Sequence, residues 1–133
     1  MSGRQLSVAE WVEAYRLAWE ERDADAAAAL FTEDSEYRTG PFFEPNQGAD
    51  GVHAYWSDVT TTQADVSVRM GRPFLDGDRV TVEFWTEMTN DGAEITLAGC
   101  LLLRFAPDGR CVRLREYRGV EPGRRAPHEG WGE

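Results

Sequence analysis

A glutamate and an arginine near the end of the chain are the residues whose types and spacing most directly indicate chemistry. The segment 111–118 reads as a strand, and period two places four of its residues on one face, namely Val112, Leu114, Glu116 and Arg118. Because that face begins with apolar residues, we expect it to be buried. A buried carboxyl group has a raised pKa unless it is paired, which makes Glu116 a candidate general acid or base. The alternative is a structural Glu116–Arg118 ion pair at the sheet rim, or two side chains that face water.

Tyr15 is the third candidate for chemistry. It lies on the apolar stripe of a predicted helix, where an aromatic side chain is ordinarily part of the core. A buried tyrosine hydroxyl still needs a hydrogen-bond partner, and one that points into a cavity can donate to a substrate oxygen. The sequence leaves both interpretations open.

No motif for a metal, a nucleotide or a nucleophilic serine accompanies these residues. His53 and His128 are far apart in the sequence, and Cys100 and Cys111 form no Cys-x-x-Cys pair. Neither His-Glu-x-x-His, nor a P-loop, nor a dinucleotide fingerprint, nor Gly-x-Ser-x-Gly occurs. We therefore predict no metal site and no cofactor.

Three helices are predicted in the first half of the chain. The first begins at a capping box, Ser7-Val8-Ala9-Glu10, and its apolar residues recur every three or four positions. The second is expected from Asp25 to about Phe31, capped by Asp23 or Asp25, and the third from about Asp50 to Val59. A short strand, 35–39, is expected between the last two.

The second half reads as an antiparallel meander with turns at Asp76-Gly77-Asp78, Asn90-Asp91-Gly92 and Asp108-Gly109. Helices followed by strands, without β-α-β alternation, predict an α+β fold with helices on one face of a curved sheet. The chain is expected to be a single domain, with a core at about 7–119. Residues 120–133, rich in proline, glycine and charge, are predicted to be a flexible tail or to lie across a neighbour.

Composition excludes several classes of function. The 133 residues include 24 Asp+Glu and 14 Lys+Arg, which gives a net charge of −10. Such a charge repels phosphate backbones and anionic lipid surfaces, so neither a nucleic acid nor a membrane is an expected partner. The N-terminus lacks the layout of a secretory signal and only two cysteines are present, which favours the cytoplasm.

The order of these features resembles the nuclear transport factor 2-like superfamily, and within it the SnoaL-like group. The resemblance covers about residues 7–119 and is carried by the helix with Tyr15, the segment Leu30-Phe31-Thr32-Glu33-Asp34, the Gly40-Pro41 bend, the segment 48–52 before the third helix and the closing Arg115-Glu116-Tyr117 strand. It implies a cone-shaped α+β barrel in which a strongly bent, mostly antiparallel sheet is closed by three helices around an apolar pocket. It also implies a homodimer, commonly through the outer sheet face.

The superfamily includes ketosteroid isomerase, and an alignment through Asp23 places Tyr15 at that enzyme's oxyanion-donor tyrosine. The position of its general-base aspartate falls on Thr39 and that of its protonated aspartate on Leu101, so two of three groups are missing. The resemblance therefore implies a pocket with different polar groups, here Tyr15, Thr39, Glu116 and Arg118. The expected apolar lining is Trp19, Trp56, Val82, Phe84, Met88, Leu101 and Leu114.

Two functions fit this set of residues. One is a cofactor-free acid–base enzyme, an isomerase, cyclase, dehydratase or hydrolase, acting on a hydrophobic oxygenated small molecule. In it, Glu116 would move the proton, Arg118 would hold Glu116 ionised or bind a substrate oxygen, and Tyr15 would stabilise negative charge. The other is a non-catalytic module for binding a small ligand or for dimerisation.

Overall fold

A computed structural model describes residues 5–133. Its three helices are α1 (Val8–Glu21), α2 (Ala24–Ala28) and α3 (Gly48–Val59), and a 3₁₀ turn, Thr60–Thr62, follows α3. Its strands are β1 (Phe31–Arg38), β2 (Asn46–Gln47), β3 (Gln63–Met70), β4 (Phe74–Asp76), β5 (Arg79–Asn90), β6 (Ala93–Phe105) and β7 (Cys111–Pro122). None of the helices between residues 5 and 133 is long and apolar enough to cross a membrane.

The predicted capping box starts α1. The Ser7 Oγ accepts a hydrogen bond from the Glu10 N–H, and the Glu10 carboxylate accepts one from the Ser7 N–H. The helix then buries one stripe, from Trp11 to Trp19, and ends where Arg22 adopts a left-handed conformation with φ of 54°. This register places Tyr15 at the centre of the buried face.

The second helix is shorter than predicted, and its expected last residue, Phe31, begins β1 instead. Asp23 caps α2 by accepting a hydrogen bond from the Ala26 N–H. Phe31 pairs in parallel with Cys111 of β7, so a contact between distant parts of the chain overrides the local helical preference. Leu30 and Phe31 are both buried, as predicted.

The sheet is curled and open, with strand order β2-β1-β7-β6-β5-β3, and β4 pairs with β5 outside this path. Every pairing is antiparallel except that of β1 with β7. The helices pack on the inner face and enclose one aromatic core, so the expected α+β architecture is confirmed.

Gly99 allows β7 to pass unusually close over β6. A Cβ atom built on Gly99 would lie 1.8 Å from the carbonyl oxygen of Tyr117, and no side chain fits there. Because Gly99 pairs with Arg118, this close approach occurs beside the residues that were predicted to do chemistry. This close approach therefore helps to set where Glu116 and Arg118 lie.

The predicted inner faces of β5 and β6 are confirmed, since Val82, Phe84, Leu101 and Leu103 are buried. The start of β7 differs from the prediction. A register shift pairs Arg104 with Arg113 and Phe105 with Cys111, which leaves Val112 as the extra residue of a bulge. Cys111 is therefore fully buried, Val112 only half-buried, and both cysteines are free.

The segment predicted as a tail, 120–133, begins within β7, which continues to Pro122. Beyond it the chain lies on the outer face of the sheet. The Trp85 Nε1–H donates to the Arg125 carbonyl oxygen at 2.7 Å, Arg124 pairs with Glu94 at 2.7 Å, and the Trp131 ring lies edge-on to the Trp85 ring.

Candidate functional site

A cavity of about 390 Å³ opens between α1 and the end of α3. The sheet contributes the end of β5, the start of β6 and the second half of β7 to its wall. Polar and apolar groups share its wall. The lining residues are Tyr15, Trp19, Tyr55, Trp56, Asp58, Val59, Thr60, Thr61, Thr62, Gln63, Met88, Asn90, Ile95, Leu97, Glu116 and Arg118.

Glu116 is the buried acid of this cavity, with only 7% of its surface exposed. Burial raises the pKa of its carboxyl group, because water is not available to solvate the charge, and Arg118 opposes that rise by its charge and by a hydrogen bond. The Arg118 Nη1 lies 2.7 Å from the Glu116 Oε2. The contact uses one oxygen of the carboxylate, so it is not the bidentate pair that would indicate a purely structural role.

Arg118 bridges the acid and the backbone just after β1. Its Nη1 also donates to the carbonyl oxygen of Thr39, and its side chain is 26% exposed. Thr39 itself is buried and does not line the cavity. The role seen for Thr39 is to hold Arg118 through its main chain, whereas the sequence predicted substrate contact by its side chain.

Tyr15 lines the cavity although its side chain is 1% exposed, and it belongs to a chain of hydrogen bonds. The Trp56 Nε1–H donates to the Tyr37 hydroxyl at 3.1 Å, and the Tyr37 and Tyr15 hydroxyl oxygens are 3.3 Å apart. Burial raises the pKa of both tyrosines far above the ordinary value, and the charge of Glu116 raises it further. At Tyr37 the hydrogen bonds with Tyr15 and Trp56 act in the opposite direction. Both hydroxyls are therefore protonated at neutral pH. If Tyr37 donates to Tyr15, the Tyr15 proton is available to a group in the cavity.

Tyr37 was missed in the sequence, although a signal was present. Tyr37 lies in β1, two residues before Thr39, and in the strand predicted over 35–39 this spacing places both residues on the same face. Tyr55 was also missed as a lining residue. Burial raises the pKa of its hydroxyl, and a hydrogen bond with Thr39 acts in the opposite direction.

The rim of the cavity joins the 3₁₀ turn to the β5–β6 hairpin. The Thr62 Oγ1 donates to the Asn90 Oδ1 at 2.7 Å, and the Asp91 N–H donates to the Thr62 carbonyl oxygen at 2.7 Å. Deeper in, the Trp19 Nε1–H donates to the Gln63 Oε1 at 3.3 Å. These contacts fix the position of the turn that forms one side of the opening.

Of the predicted apolar lining, Trp19, Trp56 and Met88 line the cavity, whereas Val82, Phe84, Leu101 and Leu114 do not. The latter four are buried in the core. Alternation along a strand predicts which face a residue occupies but not whether it borders the cavity. Elsewhere on the inner face the aromatic rings of α1 fill the space, as where Trp19 contacts Phe84 with ring centres 5.8 Å apart.

Within the described range, 5–133, no group of three or more His, Cys, Asp or Glu side chains is arranged to hold a metal ion. His53 lies outside the cavity, on the exposed side of α3, where its Nε2 is 2.8 Å from Asp25 Oδ1. The cavity therefore brings together one buried acid, one arginine and hydroxyl donors among apolar groups, and Asp58, Gln63 and Asn90 add further polar groups to its wall.

The sequence model of the SnoaL-like domain family matches residues 12–114, and the chain belongs to this family. A comparison with curated proteins finds no match. The fold is shared with many solved structures.

One similar structure is a protein of ketosteroid isomerase-like fold from Catenulispora acidiphila in complex with trimethylamine, with a TM-score of 0.74 and 21% identity over 84% of this chain and 86% of that one. Another is SalBIII, an epoxide hydrolase/cyclase-like enzyme in pyran ring formation in the polyether salinomycin, with a TM-score of 0.75 and 23% identity over 86% and 94%. A third is an epoxide hydrolase of Mycobacterium tuberculosis, with a TM-score of 0.69 and 20% identity over 82% and 80%. At these identities the likeness establishes the fold alone.

Proposed function

We propose that the cavity binds a small, hydrophobic, oxygenated molecule and that Glu116 transfers a proton to or from it without a cofactor. The observation that carries the proposal is the combination found at Glu116. It is a nearly buried carboxyl group with a raised pKa, held by a one-oxygen contact to Arg118, in the wall of a cavity large enough for a ligand.

Each polar group has a distinct role in this proposal. Glu116 takes a proton from carbon or gives one to oxygen, and its raised pKa brings the carboxyl closer to the operating pH, where acid–base catalysis is most efficient. Arg118 opposes the rise in the pKa of Glu116 and so keeps part of the Glu116 population ionised. Tyr15, backed by Tyr37, donates a hydrogen bond to the oxygen on which negative charge develops.

The substrate class follows from the rest of the wall. Trp19, Trp56, Met88, Ile95 and Leu97 offer apolar contact, and no basic side chain other than Arg118 lines the cavity among residues 5–133. A molecule with an apolar body and one carbonyl, hydroxyl or epoxide oxygen fits this distribution. The similar structures described as an epoxide hydrolase/cyclase-like enzyme and an epoxide hydrolase support the same class of substrate.

The test uses 2-tetralone, an apolar bicyclic ketone with acidic α-protons, as the probe. We expect the protein to accelerate exchange of those protons with deuterated water, measured by NMR, and we expect Glu116→Gln to abolish the acceleration while the probe still binds. Glu83→Gln is the matched control, because Glu83 is an exposed glutamate that does not line the cavity.

The alternative is a non-catalytic binding module. It is favoured if the probe, or a small molecule retained in native mass spectrometry, binds in the cavity while exchange proceeds at the background rate in both the parent protein and the Glu116→Gln variant. That result would overturn the catalytic proposal and leave the cavity as a binding site.

We further propose a homodimer formed through the outer sheet face and a cytoplasmic location. The resemblance to the superfamily supports the dimer, and two free thiols are in keeping with a reducing compartment. Light scattering over a hundredfold range of concentration tests the dimer, and a monomer mass throughout would contradict it.

A further inference from the structure

Asp58 is an acid of the cavity wall that the proposed chemistry at Glu116 does not use. It lies in the last turn of α3, is exposed, and makes no ion pair with any residue in 5–133. A carboxylate near the C-terminus of a helix is destabilising, because the partial charge of the helix there is also negative, and α3 has no basic residue in its last turn to offset it. The stability of α3 therefore does not account for this residue.

The charged groups of the cavity wall are unevenly paired. Arg118 already contacts Glu116 at 2.7 Å. Among the charged residues of the wall, Asp58 is therefore the one that lacks a counterion in the described part of the chain. Arg22 approaches this end of the cavity from outside the wall, where it donates to the carbonyl oxygen of Gln63 at 2.6 Å. A positively charged ligand at the opening would meet an unpaired carboxylate.

An aromatic ring lies beside Asp58. Tyr55 is three residues earlier in α3, so the two side chains are neighbours on the helix surface, and both line the cavity. The Tyr55 ring is edge-on to the Tyr37 ring with centres 5.5 Å apart, and its hydroxyl shares a hydrogen bond with Thr39. These contacts hold the ring in place. A carboxylate attracts a cation by its charge, and the face of an aromatic ring attracts it further.

The two carboxylates of the cavity lie at different depths. Glu116 is 7% exposed whereas Asp58 is exposed, so Glu116 is at the inner end and Asp58 is at the opening. The wall also offers the apolar surfaces of Trp56, Met88 and Leu97. A ligand that satisfies both ends has an oxygen for the inner one and a positive charge for the outer one.

We propose that the ligand of this cavity carries a protonated amine, which Asp58 and the Tyr55 ring hold at the opening while the oxygen of the ligand reaches Glu116 and Tyr15. The inference rests on the proposed function, because it takes the cavity as the binding site. It narrows the substrate class to amines with an apolar body and one carbonyl or hydroxyl oxygen. The net charge of −10 also favours the approach of a cation over that of an anion.

The test compares two ligands of nearly the same shape. The amine of 4-(dimethylaminomethyl)acetophenone is protonated at neutral pH, and in 4-isobutylacetophenone a CH group replaces that nitrogen. Each is titrated into ¹⁵N-labelled protein, and amide shifts at residues 55–63, 88–97 and 116–118 are expected for binding in the cavity. Because the readout is binding, the result does not depend on whether Glu116 transfers a proton.

The substitution Asp58→Asn removes the charge and keeps the size of the side chain. We expect it to raise the dissociation constant of the amine about fivefold and to change that of the isobutyl ketone less than about twofold. Tyr55→Leu, which removes the ring, is expected to weaken binding of the amine about threefold more than binding of the ketone. Asp50→Asn is the matched control, since Asp50 is an exposed aspartate in the first turn of α3 that does not line the cavity. It changes the net charge equally, and both dissociation constants should stay within about twofold.

Three results would overturn the inference. Equal affinity for the amine in Asp58→Asn and the parent protein, with both probes bound in the cavity, would refute the amine specificity and leave the proposed function standing. Tighter binding of 4-acetylphenylacetate in Asp58→Asn, without weaker binding of the amine, would show that Asp58 excludes anions and does not hold a cation. No binding of either probe in the cavity would count against the proposed function as well.

Discussion

The substitution Tyr37→Phe tests the hydrogen-bond chain behind Tyr15. It removes one hydroxyl and nothing else from a residue that is 3% exposed. Two contacts are lost, one with the Trp56 Nε1–H at 3.1 Å and one with the Tyr15 hydroxyl at 3.3 Å. The ring itself remains packed against Phe31 and Tyr55.

The expected cost follows from what is left behind. Trp56 is 3% exposed, so its N–H would lose its partner without gaining water, which costs about 1 to 3 kcal/mol. The longer Tyr15 contact adds about 0.5 to 1 kcal/mol. We therefore expect Tyr37→Phe to lower the free energy of unfolding by about 1.5 to 4 kcal/mol, because both effects act in the same direction.

The assay is urea denaturation followed by circular dichroism. Tyr117→Phe is the control, since Tyr117 is 40% exposed and has no hydrogen bond through its hydroxyl to a described residue, and its effect should be within about 0.5 kcal/mol. Trp56→Phe combined with Tyr37→Phe should cost less than the sum of the single changes, because the orphaned N–H is then absent. A Tyr37→Phe effect equal to that of Tyr117→Phe would refute the reasoning.

Two further predictions concern Glu116 in β7 and Gly99 in β6. Because burial raises the pKa of Glu116 in the folded protein above its ordinary value, the favourable contribution of its protonated form is complete below the unfolded pKa and is lost as pH rises through the folded pKa. Urea denaturation between about pH 4 and pH 8 should therefore show Glu116→Gln gaining stability relative to the parent protein as pH rises, and a constant difference would contradict this. Gly99→Ala should cost about 3 kcal/mol, since its methyl group would collide with the Tyr117 carbonyl oxygen. Gly119→Ala, whose nearest atom would be 4.0 Å away, should cost much less, and equal thermal stability of the two variants would contradict the predicted collision.

The sequence predicts elements well where the pattern is local. The capping box fixes the register of α1, and alternation identifies the inner faces of β5 and β6. The same alternation predicts the buried position of Glu116, because β7 is regular beyond its bulge. These features depend on residues close to one another in the chain.

Features that depend on distant contacts were not predicted. The parallel pairing of Tyr37 with Leu114 joins residues far apart in sequence, and without it neither the start of β1 nor the position of the Tyr37 hydroxyl can be derived. Likewise, alternation places Phe84 and Leu101 on the inner face of the sheet but does not show whether they border the cavity or lie in the packed core, where the structure has them. Which of the two applies is set by the curvature of the whole sheet, and no single segment encodes that curvature.

The five tryptophans fall into separate environments, and this makes the protein its own spectroscopic probe. Trp19 and Trp56 lie in the cavity wall, Trp11 is in the core, and Trp85 and Trp131 contact each other on the outer face. If an added ligand quenches tryptophan fluorescence, and the quenching persists after Trp85 and Trp131 are replaced by phenylalanine, the quenching reports that the ligand occupies the cavity. An emission change that needs Trp131 would report release of the C-terminal segment from the sheet.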